Sequence, residues 1–239
     1  MINVLCWYWR QPGGRAEYLP EHVNKWARMV RANLSMPHRI SCVTHTPEGI
    51  DSSINIIEPP TDFEDVRIPT WNDKKPQCLR RLAMFAPDAA KTFGNRFVCM
   101  DLDTVIAGPL DPLFDIPEDF AMMEGTAPKV RPYNGSMMLM TAGARSQVYT
   151  EFTPERAVLA GKHFLGSDQA WIAFSLGWGE RVWNERDGAI WFSPRYSMQV
   201  PKCRVMFFPG NIKPWQVNGS RPLDRWVRER YGHKVMEAA

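Results

Sequence analysis

The chain has 239 residues, 44% of them hydrophobic, enough to bury a full core as one domain or as one domain with a small appendage. Its formal net charge of +3 and pI near 8.6 suit an anionic small ligand but do not mark a nucleic-acid binder. No apolar run approaches the length of a membrane span, and Met1 to Leu5 enters a strand-like run with no basic or long apolar leader, so neither a transmembrane segment nor a signal peptide is expected.

Ile2 to Tyr8 reads as a first buried strand that ends in aromatics and turns through Gln11-Pro12-Gly13-Gly14. From Tyr18 to Leu34, Val23, Trp26, Val30 and Leu34 recur at three- and four-residue spacing, which predicts an amphipathic helix ended by Pro37. Arg39 to Thr44 and Ile54 to Ile57 read as the next two strands. A strand–helix–strand opening is a βαβ unit, and with it an α/β protein built on a parallel sheet. Pro59 to Asp73 is a loop rich in proline and acids, and Lys74 to Phe85 a helix with Leu79, Leu82 and Phe85 inward. Strands are expected at Arg96 to Met100, Phe120 to Met123, Ser136 to Met140, Ala189 to Phe192 and Arg204 to Phe208. Gln147 to Ala160 is weakly helical with a break at Pro154. Ser167 to Leu176 is a firmer helix, capped by Ser167 or Asp168. Leu223, Trp226, Val227 and Tyr231 make a terminal amphipathic helix whose other side carries Arg225, Arg228 and Arg230. The five cysteines are scattered, odd in number and without metal-type spacing, as in reduced thiols of a cytoplasmic protein.

The chemistry concentrates where the strand through Phe97 to Met100 stops on Asp101 and Asp103. Ligands of open α/β sheets bind outside the carboxyl ends of strands. Residues i and i+2 there project to one side, so two hard oxygen donors can share one divalent cation, and that cation can hold a diphosphate. Two enzymatic readings fit this triplet. One is a transferase of nucleotide-linked sugars. The other is a phosphatase of the haloacid-dehalogenase type, whose strand also ends in Asp-x-Asp. The βαβ unit ahead of the triplet disfavours the phosphatase, whose acidic strand normally opens the domain. Trp7 and Tyr18 are candidates to stack on a nucleotide base, with a core role as the plain alternative.

Five segments in order give the chain a resemblance to the family 8 glycosyltransferases, the group that includes glycogenin and bacterial lipopolysaccharide galactosyltransferases. They are Leu79 to Phe85; Phe97 to Ile106 with Pro109 to Asp115; Tyr133 to Leu139; Gly166 to Gln169; and Phe208 to Trp215, which carries Gly-x-x-Lys-Pro-Trp. The resemblance implies the GT-A fold, a Rossmann-like mixed, mainly parallel sheet with flanking helices in one domain over 1–239. Residues 1–125 would form the nucleotide- and metal-binding half, and 126–239 the sugar and acceptor half with the terminal helix.

By the same resemblance, Asp101 and Asp103 hold Mn²⁺ or Mg²⁺, with Asp101 also facing the ribose. Arg81, Leu102, Gly210 and Lys213 contact the donor, and Asn134, Asp168 and Gln169 meet the donor sugar and the acceptor. Arg80 could exchange with Arg81, and Asp168 could be only a helix cap. Two departures stand out. The family's third metal ligand, a histidine, is matched here by Phe207, and the first strand ends in Trp7-Tyr8-Trp9 where the family has small polar residues. The activity implied is transfer of a hexose from a nucleoside diphosphate sugar, a UDP-sugar, with retention. The acceptor is left open among a glycan, a lipid-linked saccharide, a protein and a modified base. A catalytically inactive sugar-nucleotide or glycan-binding module is the non-enzymatic alternative, and Phe207 is its supporting feature. Arg221, Arg225, Arg228, Arg230 and Lys234 beside the apolar stripe would allow weak peripheral contact with anionic lipid.

Overall fold

The computed structural model describes residues 1–9, 17–66, 68, 78–193 and 202–232. In chain order the elements are β1 (Ile2–Trp7), α1 (Pro20–Asn33), β2 (His38–Val43), β3 (Asn55–Ile57), a 3-10 helix (Leu79–Phe85), α2 (Ala90–Phe93) and β4 (Arg96–Met100). Then come β5 (Thr104–Ile106), α3 (Asp111–Phe114), β6 (Phe120–Ala127), β7 (Arg131–Thr141), α4 (Gln147–Thr150), α5 (Pro154–His163) and α6 (Asp168–Leu176). The chain closes with β8 (Arg181–Trp183), β9 (Ala189–Trp191), β10 (Val205–Phe207), a 3-10 turn (Pro214–Gln216) and α7 (Pro222–Tyr231).

Seven strands form one sheet in the order β3-β2-β1-β4-β7-β6-β8. β1 to β4 are mutually parallel, β7 runs against both β4 and β6, and β8 is parallel to β6. This is the mixed, mainly parallel sheet that the resemblance implies, and its parallel part follows from the opening βαβ unit. Alternation along its strands sends side chains to two cores. Ile2, Val4, Val98 and Met100 pack with Val23, Trp26 and Val30 of α1, while Leu5, Phe97 and Cys99 pack with Leu82, Phe85 and Trp171. β4 is therefore buried on both faces, as its unbroken apolar run predicts.

A second sheet, β5-β10-β9, was not legible in the sequence. The strand expected over Arg96 to Met100 ends there as β4, but Thr104 to Ile106, not read as a strand, forms β5 and joins the small sheet by antiparallel pairing with β10. Asp101-Leu102-Asp103 is the link where the chain passes from one sheet to the other.

Other differences have local causes. β6 and β7 extend beyond the four- and five-residue strands expected because they pair as a hairpin, and Pro132 falls at a register shift in that ladder. β6 runs across residue 125. β8, three residues long, is too short to show a periodicity. The break at Pro154 is a new helix start: Pro154 is the first residue of α5, and Thr153 Oγ1 accepts from Arg156 N at 3.2 Å. The helix expected from Lys74 is a 3-10 helix over Leu79–Phe85, and 74–77, the turn at 11–14 and Lys234 lie outside the described residues. On α7, Arg221 donates to Asp224 at 2.7 Å and Arg228 to the Gly219 carbonyl, so Arg225 and Arg230 are the basic residues left exposed on the helix. Among the described residues, no helix is long and apolar enough to cross a membrane.

Candidate functional site

A cavity of about 150 Å³ opens beside the link between the two sheets, lined by Trp7, Tyr8, Trp9, Tyr18, Cys78, Arg81, Asp101, Leu102 and Asp103. The link is held from both sides. Asp101 N donates to the Ser136 carbonyl of β7 at 2.9 Å, and Phe208 N donates to the Asp103 carbonyl at 3.2 Å. Both carboxylates thereby sit at the carboxyl end of β4, and neither is free of protein partners.

Arg81 is 7% exposed and ties four elements together. Its Nη1 donates to Asp101 Oδ1 at 3.2 Å, and its Nη2 donates to the Gly135 carbonyl. Its Nε lies 3.8 Å from Asp168 Oδ2, an ion pair too long for a hydrogen bond. The neighbouring Arg80 points the other way, to the Pro60 carbonyl at 2.8 Å, His45 at 3.0 Å and Glu64. Sequence spacing could not separate the two arginines; the 3-10 geometry does, by turning one inward and the other outward.

Asp103 faces Lys213, which is 6% exposed and donates from Nζ to Asp103 Oδ2 and to the Phe208 carbonyl, the latter at 3.3 Å. Lys213 N donates to Gln216 Oε1 at 2.9 Å, so the Pro214–Gln216 turn fixes its backbone. Trp215 clamps that turn: its ring stacks on His22 at 3.9 Å and meets Tyr18 edge-on at 5.5 Å. Tyr18 thus spends its ring on Trp215. Burial, with Asp103 and Asp101 adding, pushes its hydroxyl far above the ordinary tyrosine range, so it stays protonated beside them.

Burial raises Asp101 to about 6, with Arg81 pulling the other way and Asp103 adding to the rise. Cys78 and Cys99, next to this cluster, are pushed up to about 12 by burial, so they are neutral thiols. Among the described residues the cluster sets three carboxylates, Asp101, Asp103 and Asp168, against two cations, Arg81 and Lys213. One negative charge is left over.

The remaining expected residues fall nearby with different tasks. Asp168 opens α6 beneath Arg81, while Ser167 takes the cap position without a capping side-chain bond. Ser167 Oγ instead accepts from Cys78 N at 3.2 Å and donates to Asp168 Oδ1 at 3.2 Å. Asn134 Oδ1 accepts from Ser136 N at 2.9 Å, bracing the strand whose carbonyls receive Arg81 and Asp101 N. Gln169 folds back to the Leu165 carbonyl at 3.4 Å and is not among the described residues lining the cavity. Gly210 is exposed, with nothing within 4 Å of where a Cβ would be. Trp7 lines the cavity and packs edge-on to Trp9 at 5.6 Å. Tyr8 and Trp9 also line it and were visible in sequence only as part of an aromatic strand end. Cys78 gave no signal at all.

No family model and no curated relative matches the sequence. Solved structures do match. The galactosyltransferase LgtC, solved with donor and acceptor sugar analogues, aligns at a TM-score of 0.57 and 13% identity over 99% of this chain and 98% of that one. The chain has the GT-A glycosyltransferase fold. The glycosyltransferase GlyE of Streptococcus pneumoniae TIGR4 aligns at 0.61 and 12% identity over 98% of this chain, which spans 60% of GlyE. Mouse xyloside xylosyltransferase 1 aligns at 0.53 and 13% identity over 88% of this chain and 98% of that one. On this fold the haloacid-dehalogenase alternative falls away.

GT-A glycosyltransferases generally work with a divalent metal, so the donor set has to be tested against one. Among the described residues no three of His, Cys, Asp and Glu converge on a metal position. Phe207, expected from the resemblance to stand where a histidine would, is 1% exposed and packs 5.9 Å from Trp191, and it offers no donor atom. Two hard carboxylates in a pocket with surplus negative charge still fit Mg²⁺ or Mn²⁺, which readily keep waters and take ligands from phosphate.

Proposed function

We propose that this chain transfers a hexose from a nucleoside diphosphate sugar, a UDP-sugar, to an acceptor, with retention and with dependence on a divalent metal. The observation that carries this reading is the charge of the cavity. Among the described residues Asp101, Asp103 and Asp168 outnumber Arg81 and Lys213, so further positive charge would favour the entry of a diphosphate. Bound between Asp101, Asp103 and the diphosphate, Mn²⁺ or Mg²⁺ would supply that charge and ease departure of the leaving group.

The chain's own residues divide the remaining work. Arg81 is a positioning residue that holds Asp101 and Asp168 in register with β7. Lys213 meets the leaving diphosphate, where a fixed positive charge stabilises what develops in the transition state. Trp7, Tyr8 and Trp9 offer aromatic surface to the base, and Leu102 and Gly210 let backbone approach the donor. Asn134 has its carbonyl oxygen committed to Ser136 N, so its amide NH₂ is the group turned to a sugar hydroxyl. Asp168 and Gln169 serve the sugar and acceptor side. The bond from the anomeric carbon to the phosphate oxygen breaks, the acceptor oxygen bonds to the same face, and its proton passes to the departing phosphate oxygen.

A cytoplasmic setting belongs to this reading, in keeping with five free thiols. The acceptor stays open among glycan, lipid-linked saccharide, protein and modified base. The test is hydrolysis of UDP-glucose or UDP-galactose with Mn²⁺. Turnover lost in chelator and in Asp103→Ala, with the circular dichroism spectrum unchanged, is the expected result. Wild-type turnover in Asp103→Ala would refute the assignment, and donor binding without turnover would mark an inactive binding module.

A further inference from the structure

Each of the two carboxylates that would hold the metal already has a protein cation beside it, although Arg81 is shared with Asp168. Asp103, 8% exposed, accepts from Lys213 Nζ, and Asp101 accepts from Arg81. The two cations differ in what they could do next. Arg81 is bound by Asp101, Asp168 and the Gly135 carbonyl, so its planar guanidinium is fixed by groups on three elements. Lys213 has one carboxylate and one carbonyl, and its ammonium sits on a flexible four-carbon stem. Its backbone is held by Gln216, and the turn by Trp215 against His22. The hydrogen bond that ties the turn together is made by the Lys213 backbone, not by its side chain.

A carboxylate oxygen in a buried pocket cannot serve an ammonium and a divalent cation together, because the two positive charges would lie within a few ångströms at low dielectric. No third protein ligand among the described residues draws a metal in on its own account. We infer that Lys213 is a built-in counter-ion that keeps the Asp101–Asp103 pair closed to metal until a diphosphate arrives to receive its ammonium. Lys213 leaves Asp103 for the phosphate oxygens, and the vacated carboxylate becomes a metal ligand. Donor and metal therefore favour each other through one side chain, beyond the attraction between them. This rests on the reading of the cavity as a nucleoside diphosphate sugar site and adds the route by which it fills.

The prediction concerns metal binding in the absence of donor, followed by electron paramagnetic resonance of free Mn²⁺ on the full chain. Wild-type protein should bind Mn²⁺ weakly, and Lys213→Met about tenfold more tightly, since Asp103 then lacks the cation that neutralises it. Lys213→Gln, which keeps a hydrogen-bond donor without the charge, should behave like Lys213→Met and serves if the apolar variant folds poorly. UDP should tighten Mn²⁺ binding to the wild type, and by a smaller factor in either variant. Equal or weaker Mn²⁺ binding by both variants, with the UDP effect on wild type intact, would overturn the role given to Lys213 alone. Absence of any UDP effect on wild type, with no Mn²⁺ bound by any of the proteins, would overturn the donor-site reading and this inference with it.

Discussion

Arg80 and Arg81 are adjacent in the chain and alike in chemistry, yet the structure gives them different weights, which makes Arg81→Met against Arg80→Met a sharp comparison. Arg81 is buried between Asp101 at 3.2 Å and Asp168 at 3.8 Å. Removing one partner of a buried ion pair leaves uncompensated charge and costs about 3–5 kcal/mol. Arg80 makes its contacts at the rim, with the Pro60 carbonyl, His45 and a half-exposed Glu64. Losing those costs about 1 kcal/mol. For a chain of this length each kcal/mol moves the melting temperature by roughly 2–4 °C, so Arg81→Met should melt on the order of 10 °C lower and Arg80→Met only a few degrees lower. Urea unfolding followed by circular dichroism reads both differences directly. Adding Asp101→Asn to Arg81→Met should return part of the loss, with a coupling of about 1 kcal/mol or more, because the orphaned carboxylate goes with it. Equal losses in the two single variants would show that Arg81 does not hold the site together as described.

Two further outcomes follow from local geometry. Gly166 has φ of +130° and a Cβ there would lie 2.3 Å from Gln169 Cγ, so Gly166→Ala should cost about 1–3 kcal/mol in urea unfolding and loosen the start of α6 that delivers Asp168. Asp224 is held below its ordinary value of 3.8 by the hydrogen bonds from Arg221. Its folded pKa is depressed, so its contribution to α7 is complete above about pH 4 and is lost as the pH falls through the lowered value. Asp224→Asn should therefore flatten the acid limb of a stability–pH curve measured by circular dichroism, and an unchanged acid limb would remove Asp224 from the account.

Much of this molecule was legible before folding was considered. The apolar run Phe97 to Met100 reads as a strand buried on both faces because it is short, bounded and lacks a polar side. Val23, Trp26 and Val30 mark α1 because helical spacing of large apolar residues has one economical use. The acids at 101 and 103 stand out because two carboxylates at the end of a buried strand have a cost that a ligand can offset. Trp215 and Lys213 belong to a loop whose residue order is distinctive, so their relevance was visible, although not what they touch.

What tertiary structure decided is which partner each charge received. Nothing in the order of residues says that the chain leaves one sheet at Met100 and enters another at Thr104. That pairing depends on β10, some hundred residues later. Arg81 rather than Arg80 faces inward because the rotation of a 3-10 helix is set by what Leu82 and Phe85 pack against. The attachment of Lys213 to Asp103 likewise depends on β10 and on Trp215 meeting His22, contacts between segments far apart in sequence. Periodicity and hydropathy are local properties and survive in one dimension. Compensation of buried charge is a property of the folded volume, and only there do five ionised groups from four separate segments become a single site.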